Sequence, residues 1–192
     1  MRRLRIIEHI SLDGVIQHSA DDGFPFSDWT VPYRTPAGRD AVMAAQGERF
    51  DLLLGRRTYD LWSAFWPQAP VSPMADRLNA AKKYVVTHRP ASLEWGPAEA
   101  MGPDAAAGVR RIKAQGGPDL VLWGSSTLIP PLLEHGLVDE VLLIVYPVVL
   151  GTGKRLFAQG VPACSLELIS TQAMPSGIIF NAYRVAGPLK SG

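Results

Sequence analysis

A chain of 192 residues, 47% hydrophobic and 19% charged, has the size of one large domain and the apolar content to bury roughly 70% of its unfolded surface without staples. Nineteen Lys and Arg stand against 18 Asp and Glu, a net charge of +1; with no long run of one sign, this argues against a dedicated nucleic-acid or membrane-surface binder. The lone Cys164 permits neither an internal disulfide nor a cysteine-based metal cluster, as in an intracellular protein.

The basic start Met1-Arg-Arg-Leu-Arg5 is followed by Glu8 and His9, which interrupt the apolar core a signal peptide needs. A cytoplasmic location is the expectation. Leu4 to Leu12 reads as a first strand bounded by the turn pair Asp13-Gly14. Gln17 to Pro36 holds Gly, Pro, Asp and four aromatics without a helix or strand period, the pattern of a binding loop. Ala37 to Glu48 is helical, Phe50 to Leu54 is a compact strand ending at Gly55, and Tyr59 to Trp66 is a short helix.

Beyond the Pro-rich connection Pro67 to Pro73, a short helix around Asp76 to Ala81 leads into the β-branched strand Tyr84 to Thr87. Asp104 to Gln115 is a helix that Gly116-Gly117 closes where a left-handed cap is cheap. Leu120 to Trp123 is a strand buried on both faces. Gly124-Ser-Ser-Thr127 then opens a helix to His135-Gly136. Val141 to Leu150, too short to span a bilayer and interrupted by Pro147, is a buried strand; Ser165 to Thr171 and Gly177 to Val185 form a closing hairpin. Alternating strands and helices followed by strands alone predict one α/β domain over 1–192, with a mostly parallel sheet and an antiparallel edge.

Three glycine turns each follow a strand: Gly55-Arg-Arg-Thr-Tyr59, Gly124-Ser-Ser-Thr127 and Gly151-Thr-Gly-Lys154. Strand ends of an open α/β sheet are where backbone N–H groups meet anions, so the set suggests a phosphate ligand. Leu156 stands where a Rossmann fingerprint needs its third Gly, and Arg155 and Val148 break a Walker loop. Ser126 is followed by Thr127-Leu128 without the Gly of a nucleophile elbow. His9, His18, His88 and His135 lack metal-ligand spacing, so no metal is expected. His9 reads as a strand side chain, His18 as a loop residue and His135 as a helix C-terminal residue. His88, between Thr87 and Arg89, puts donors at another strand end and with Arg56 and Arg57 could surround a phosphate monoester.

In this order, Ser11-Leu-Asp-Gly14, Gly55-Arg-Arg-Thr-Tyr59, Thr87-His-Arg89, Gly124-Ser-Ser-Thr127, and Gly136-Leu-Val-Asp-Glu140 ending in Pro147-Val-Val-Leu-Gly-Thr-Gly153 resemble the dihydrofolate reductase superfamily. The match is closer to its branch containing the reductase domain of bacterial riboflavin-biosynthesis proteins, and covers roughly Arg3 to Tyr183. The resemblance implies a three-layer α/β fold around a mixed, mainly parallel eight-stranded sheet, and an NADPH-dependent reduction. By similarity Gly55, Arg56, Arg57 and Thr58 would meet the cofactor phosphates. Thr87, His88 and Arg89 would lie by the 2′-phosphate, and Gly124, Ser125, Ser126 and Thr127 would pass under the pyrophosphate. Ser11 to Gly14 would open the loop over the nicotinamide, with Gly151 on the substrate side.

Folate reductases carry a carboxylate early in the first helix that engages the pterin, where this sequence offers Asp40 beside Arg39, so folate is not the expected substrate; Gly124-Ser125 stands for the double Gly of their second phosphate turn. The zinc deaminase signature of the bifunctional riboflavin enzymes is missing from the sequence. The leading expectation is an NADPH-dependent reductase passing hydride to a C=N or C=O carbon of a small heterocyclic or sugar-linked substrate. Asp13 would position substrate or relay a proton, or simply be a turn residue; Trp29, Tyr59 and Trp62 would wall the pocket or pack the core. The competing expectation is a nucleotide-binding or assembly protein that kept the fold without turnover. A homodimer is expected from the apolar run Val141 to Leu150 and the edge strands near the C-terminus.

Overall fold

The computed structural model describes residues 1–19, 23–157 and 160–189; residues 20–22 of the expected binding loop therefore lie outside the described residues. The described residues contain five α-helices and eight strands, and the strands are hydrogen-bonded in the order β4-β3-β2-β5-β1-β6-β8-β7. These are β1 Leu4–Ser11, β2 Phe50–Gly55, β3 Lys83–Val86, β4 Ala98–Gly102, β5 Asp119–Trp123, β6 Glu140–Tyr146, β7 Cys164–Ala173 and β8 Ile179–Pro188. The helices are α1 Pro36–Gln46, α2 Arg56–Phe65, α3 Pro73–Ala80, α4 Ala105–Lys113 and α5 Ile129–Glu134. The chain divides into two compact units, Met1–Ile6 with Gln46–Asp139, and Ile7–Ala45 with Glu140–Gly192.

In the first unit β2 pairs in parallel with both β3 and β5. Leu52, Leu53, Leu54, Leu120 and Leu122 are fully buried, each contributing about 1.5–3 kcal/mol of hydrophobic stabilisation. Continuous apolar runs are what two-face burial in a parallel sheet requires. The helices start where donors can be capped: Ser72 Oγ accepts from Ala75 N at 3.2 Å ahead of α3, and Asp104 Oδ1 from Ala107 N at 2.9 Å ahead of α4. A buried ion pair joins Arg2 to Asp51, with Tyr84 Oη accepting from the same guanidinium at 3.3 Å.

In the second unit β6, β8 and β7 form an antiparallel ribbon, the expected closing hairpin with one more strand. β6 stops at Tyr146 rather than running to Leu150, because Pro147 has no N–H for the ladder. The chain from Val148 instead lies along the turn after β1, where Leu12 N donates to Val148 O at 2.8 Å and Ile16 N to Lys154 O at 2.9 Å.

Other boundaries differ for physical reasons. β4 was not expected, since Ala98-Glu-Ala-Met-Gly102 contains no β-branched residue; it forms because β3 offers a parallel partner from Lys83↔Ala98 onward. α2 begins at Arg56, so the expected Gly55–Tyr59 turn is largely a first helical turn. Gly116-Gly117 is not a left-handed helix cap: α4 ends through right-handed Ala114, and Gly117 (φ 145°) is needed because a Cβ there would meet the Arg2 guanidinium at 3.3 Å. No helix among the described residues is long and apolar enough to cross a membrane.

Candidate functional site

Within the first unit, the ends of β2 and β5 are tied together by hydroxyls. Buried Ser125 Oγ accepts from Gly55 N at 2.9 Å and donates to Thr58 Oγ1 at 3.0 Å, and Thr58 Oγ1 donates to Gly124 O at 3.2 Å. Each hydroxyl both gives and takes, so the relay runs in one direction and fixes both rotors. Gly124 adopts φ 69°, and a Cβ there would touch Thr58 Cγ2 at 3.4 Å; both the backbone region and the close approach favour glycine. Gly55 is the N-cap of α2 with no side chain to cap it, so the positive end of the helix dipole lies beside this relay. Ser126 and Thr127 continue in a 3-10 turn, Ser126–Leu128, of which Thr127 is exposed.

The four basic residues expected around a phosphate do different things. Arg56 Nε donates to Asp60 Oδ1 at 2.7 Å, its Nη1 to Arg89 O at 2.9 Å and its Nη2 to Ser92 Oγ at 3.0 Å. Its guanidinium is a strut for the turn after β3 rather than an open phosphate ligand. Arg89 is exposed, 3.6 Å from Asp60 Oδ2, and Thr87 Oγ1 accepts from Arg89 N at 2.9 Å, which shapes the turn. His88 and Arg57 are exposed.

Two aromatics expected to wall a substrate pocket belong to the packing of this unit. Tyr59, 1% exposed, accepts at Oη from Trp95 N at 2.8 Å and donates to Trp95 O at 3.3 Å, so its hydroxyl is spent on the backbone. Burial raises its pKa. Half-buried Trp62 meets Trp123 and Trp66 edge-on, with ring centroids 5.6 and 6.0 Å away.

In the second unit Asp13 is a turn clamp. Its Oδ1 accepts from Ser11 Oγ at 2.6 Å and Leu150 N at 3.1 Å, its Oδ2 from Gly151 N at 2.8 Å, and Arg155 Nη2 lies 3.5 Å away. The Ser11 hydroxyl first, then the Leu150 amide, hold its pKa down to about 2. A carboxylate so held carries no proton at neutral pH, so the geometry favours the turn-residue reading over a proton relay. Gly14 (φ 86°) and Gly151 (φ 74°) form the two facing turns. Gly153 (φ 113°) is demanded by packing as well, since a Cβ there would come within 2.7 Å of Phe24 and 2.8 Å of Val15.

A second cluster of this unit was not anticipated. His9 Nδ1 lies 2.8 Å from the hydroxyl of buried Tyr146. Trp29 stacks on His18 with centroids 4.9 Å apart and an interplanar angle of 15°, meets Tyr146 edge-on, and donates from Nε1 to Gln17 O at 2.7 Å. Burial, with His18 and Arg34 adding repulsion, pushes His9 down to about 3; burial, then Arg34, pushes His18 down to about 4, against a smaller opposing effect of Asp28. Burial raises Tyr146 to about 12. The expected binding loop is thus anchored at Trp29 by its own rings. Among the described residues no group of three or more His, Cys, Asp or Glu side chains could hold a metal ion.

The family model of the RibD C-terminal domain matches residues 3–180. The chain belongs to the RibD C-terminal domain family. Proteins of similar sequence include two from Bacillus subtilis (strain 168). Uncharacterized protein YyaP is 30% identical over 140 residues, covering 71% of this chain and 74% of its own. Uncharacterized protein YwjB is 29% identical over 175 residues, covering 91% and 94%. Among solved structures, a pyrimidine reductase-like protein from Corynebacterium diphtheriae superposes with a TM-score of 0.65 at 13% identity, covering 99% of this chain and 93% of that one. The α/β reductase-type fold implied by the resemblance is therefore the fold of this RibD C-terminal domain.

What sequence reasoning missed in this RibD C-terminal domain are partnerships rather than residue types. Ser125 and Thr58 were singled out as ligands of a phosphate but not as each other's partners, because 67 residues separate them. His9 and Tyr146 are 137 residues apart, and no local period signals that contact. The one available hint was an aromatic-rich loop following a strand that carries His9.

Proposed function

We propose that this RibD C-terminal domain is an NADPH-dependent reductase that delivers hydride to a C=N or C=O carbon of a small heterocyclic or sugar-linked substrate. The observation that carries the reading is the uncapped N-terminus of α2 at Gly55, set beside the glycine turn of β5 by the Ser125–Thr58 relay. Two phosphates in sequence suit such a place, where helix-end amides and a glycine without Cβ let the backbone approach an anion. The donor set fits the dinucleotide: Gly55, Thr58, Gly124 and Ser125 form the phosphate cradle, with half-buried Ser126 and exposed Arg57 and Thr127 alongside. His88 and Arg89, on the turn that Arg56 braces, are the donors for a 2′-phosphate.

When bound, NADPH supplies the hydride. The chain's own residues then bind and orient: Thr58 and Ser125 lock the cradle before ligand arrives, which lowers the ordering cost of binding. Asp13 fixes the facing turns at Gly14 and Gly151, and Trp29 fixes the loop that follows β1. The names of structural neighbours support the substrate class, since one is called pyrimidine reductase-like. The second reading, nucleotide binding without turnover, is favoured by the ionised state of Asp13, which removes the expected proton donor.

Titration of protein fluorescence with NADPH and NADH tests the cofactor reading. NADPH is expected to bind roughly tenfold to a hundredfold more tightly, the value of one or two charge-assisted contacts of about 1.5–3 kcal/mol, and Arg89→Ala is expected to erase most of that preference. Equal affinities for the two dinucleotides refute it. Loss of 340 nm absorbance with a panel of reducible pyrimidines and aldehydes separates the enzyme from the binding protein (~340 nm being the reduced nicotinamide band).

A further inference from the structure

The ring cluster of the second unit holds a cation that its own surroundings oppose. Arg34 follows the 3-10 turn Val31–Tyr33 and is exposed, and its Nη2 donates to Oγ1 of buried Thr30 at 3.3 Å. Among the described residues no carboxylate pairs with this guanidinium. It stands instead within electrostatic reach of His9, His18 and Tyr146, opposing a proton on either imidazole and favouring its loss from the phenol. Asp28 favours the His18 imidazolium but is outweighed by Arg34. On the adjoining α1 the charges of Arg39 and Asp40 lie 3.9 Å from each other.

The cluster forms a cleft rather than a flat patch. His9, His18 and Tyr33 are half-buried, so solvent reaches them, yet burial is the largest cause of the lowered pKa of both histidines. Rings that are wetted and strongly desolvated together line a concavity. Its walls are fixed in advance: Trp29 and Tyr33 meet Tyr146 edge-on with centroids 5.1 and 5.7 Å away, and His9 meets His18 edge-on at 5.9 Å. A cation kept beside two rings that it holds neutral gains the fold little, and a local conflict of this kind marks a place shaped for a ligand. The ligand that relieves it is an anion, which the guanidinium fork and an imidazole N–H can both meet as donors.

We propose that Arg34, with His18 beside it, is an anion-binding site of the second unit, taking the carboxylate or phosphate of a small molecule whose apolar part packs on the half-buried rings of Tyr33 and His9. The site needs nothing from the dinucleotide reading. Only its assignment to the substrate of the reduction rests on that reading, and there it makes the substrate an anionic one.

Inorganic phosphate and benzoate, each titrated into the full chain without NADPH in a zwitterionic buffer, test the site, with uncharged benzamide as the control. The imidazole signals of His18 are followed by NMR and assigned with His18→Phe. At least one anion is expected to shift them saturably below about 50 mM, the range of a millimolar site, and to raise the pH at which His18 titrates, because a bound anion favours the imidazolium. Benzamide does neither. Saturation by phosphate alone identifies a phosphate group, by benzoate alone a carboxylate, and by both a site open to either. Arg34→Gln, at an exposed position, is expected to fold as wild type by circular dichroism and to weaken binding about tenfold or more; Arg34→Lys, which keeps the charge, weakens it less, and Arg39→Gln not at all. The proposal is overturned if neither anion moves His18, if benzamide moves it as far, or if Arg34→Gln binds as tightly as wild type. Those results leave the comparison of NADPH with NADH untouched, and equal affinities for the two dinucleotides leave this site standing.

Discussion

Lowering the pH is expected to destabilise this domain through two histidines before most of its carboxylates protonate. In the unfolded chain both imidazoles titrate near 6.5; in the fold His9 is held at about 3 and His18 at about 4 by burial and by the Arg34 cation. Between those values and 6.5 the unfolded chain binds protons that the native chain refuses. Stability from this cluster is therefore complete above about pH 6.5 and is lost as pH falls towards 4, at about 1.4 kcal/mol per pH unit for each histidine. At about pH 5 the pair costs roughly 4 kcal/mol, or about 2–4 after allowing for their partial exposure to water. That is a large share of a typical total of about 5–15 kcal/mol. Urea unfolding followed by far-UV circular dichroism at about pH 7.5, 6.5 and 5, in wild type and His18→Phe, measures it. Phe keeps the stacking on Trp29 and removes one proton, so the slope of stability against pH should fall by about half. An unchanged slope in His18→Phe, or a native His18 titrating near 6.5 by NMR, refutes the reasoning.

Ser125→Ala leaves the Gly55 amide without its acceptor and Thr58 without a donor; a loss of about 1–3 kcal/mol in thermal unfolding is expected together with weaker NADPH binding, and an unaltered melting curve contradicts the relay. Asp13→Asn is expected to destabilise the domain by about 1–3 kcal/mol through the Leu150–Gly151 turn, seen as a lower Tm, with KM rising more than kcat falls. Full stability with a collapsed kcat would instead make Asp13 the proton relay.

Most of the sheet was legible in the order of residues. Phe50 to Leu54 and Leu120 to Trp123 declare themselves as strands because side chains buried on both faces must all be apolar, a demand visible one residue at a time. The places where phosphates would sit were legible for a related reason: glycines just after such strands are a local requirement of the backbone. The family resemblance rested on the same local pieces taken in order.

Partnership across the sequence was settled by tertiary structure. Arg56 looks the same to a sequence reader whether it meets a phosphate or the carbonyl of Arg89, and the fold spends it on the carbonyl. Asp13 is a generic acid until Leu150 and Gly151 donate to it across more than 130 residues. β4 exists because β3 exposes unpaired backbone groups to it, and Ala98 to Gly102 need supply only an unobstructed chain. Composition and period report what a residue's own neighbours demand of it; pKa, hydrogen-bond partner and exposure depend on groups brought close by folding, and these determine which polar side chains remain open to a ligand.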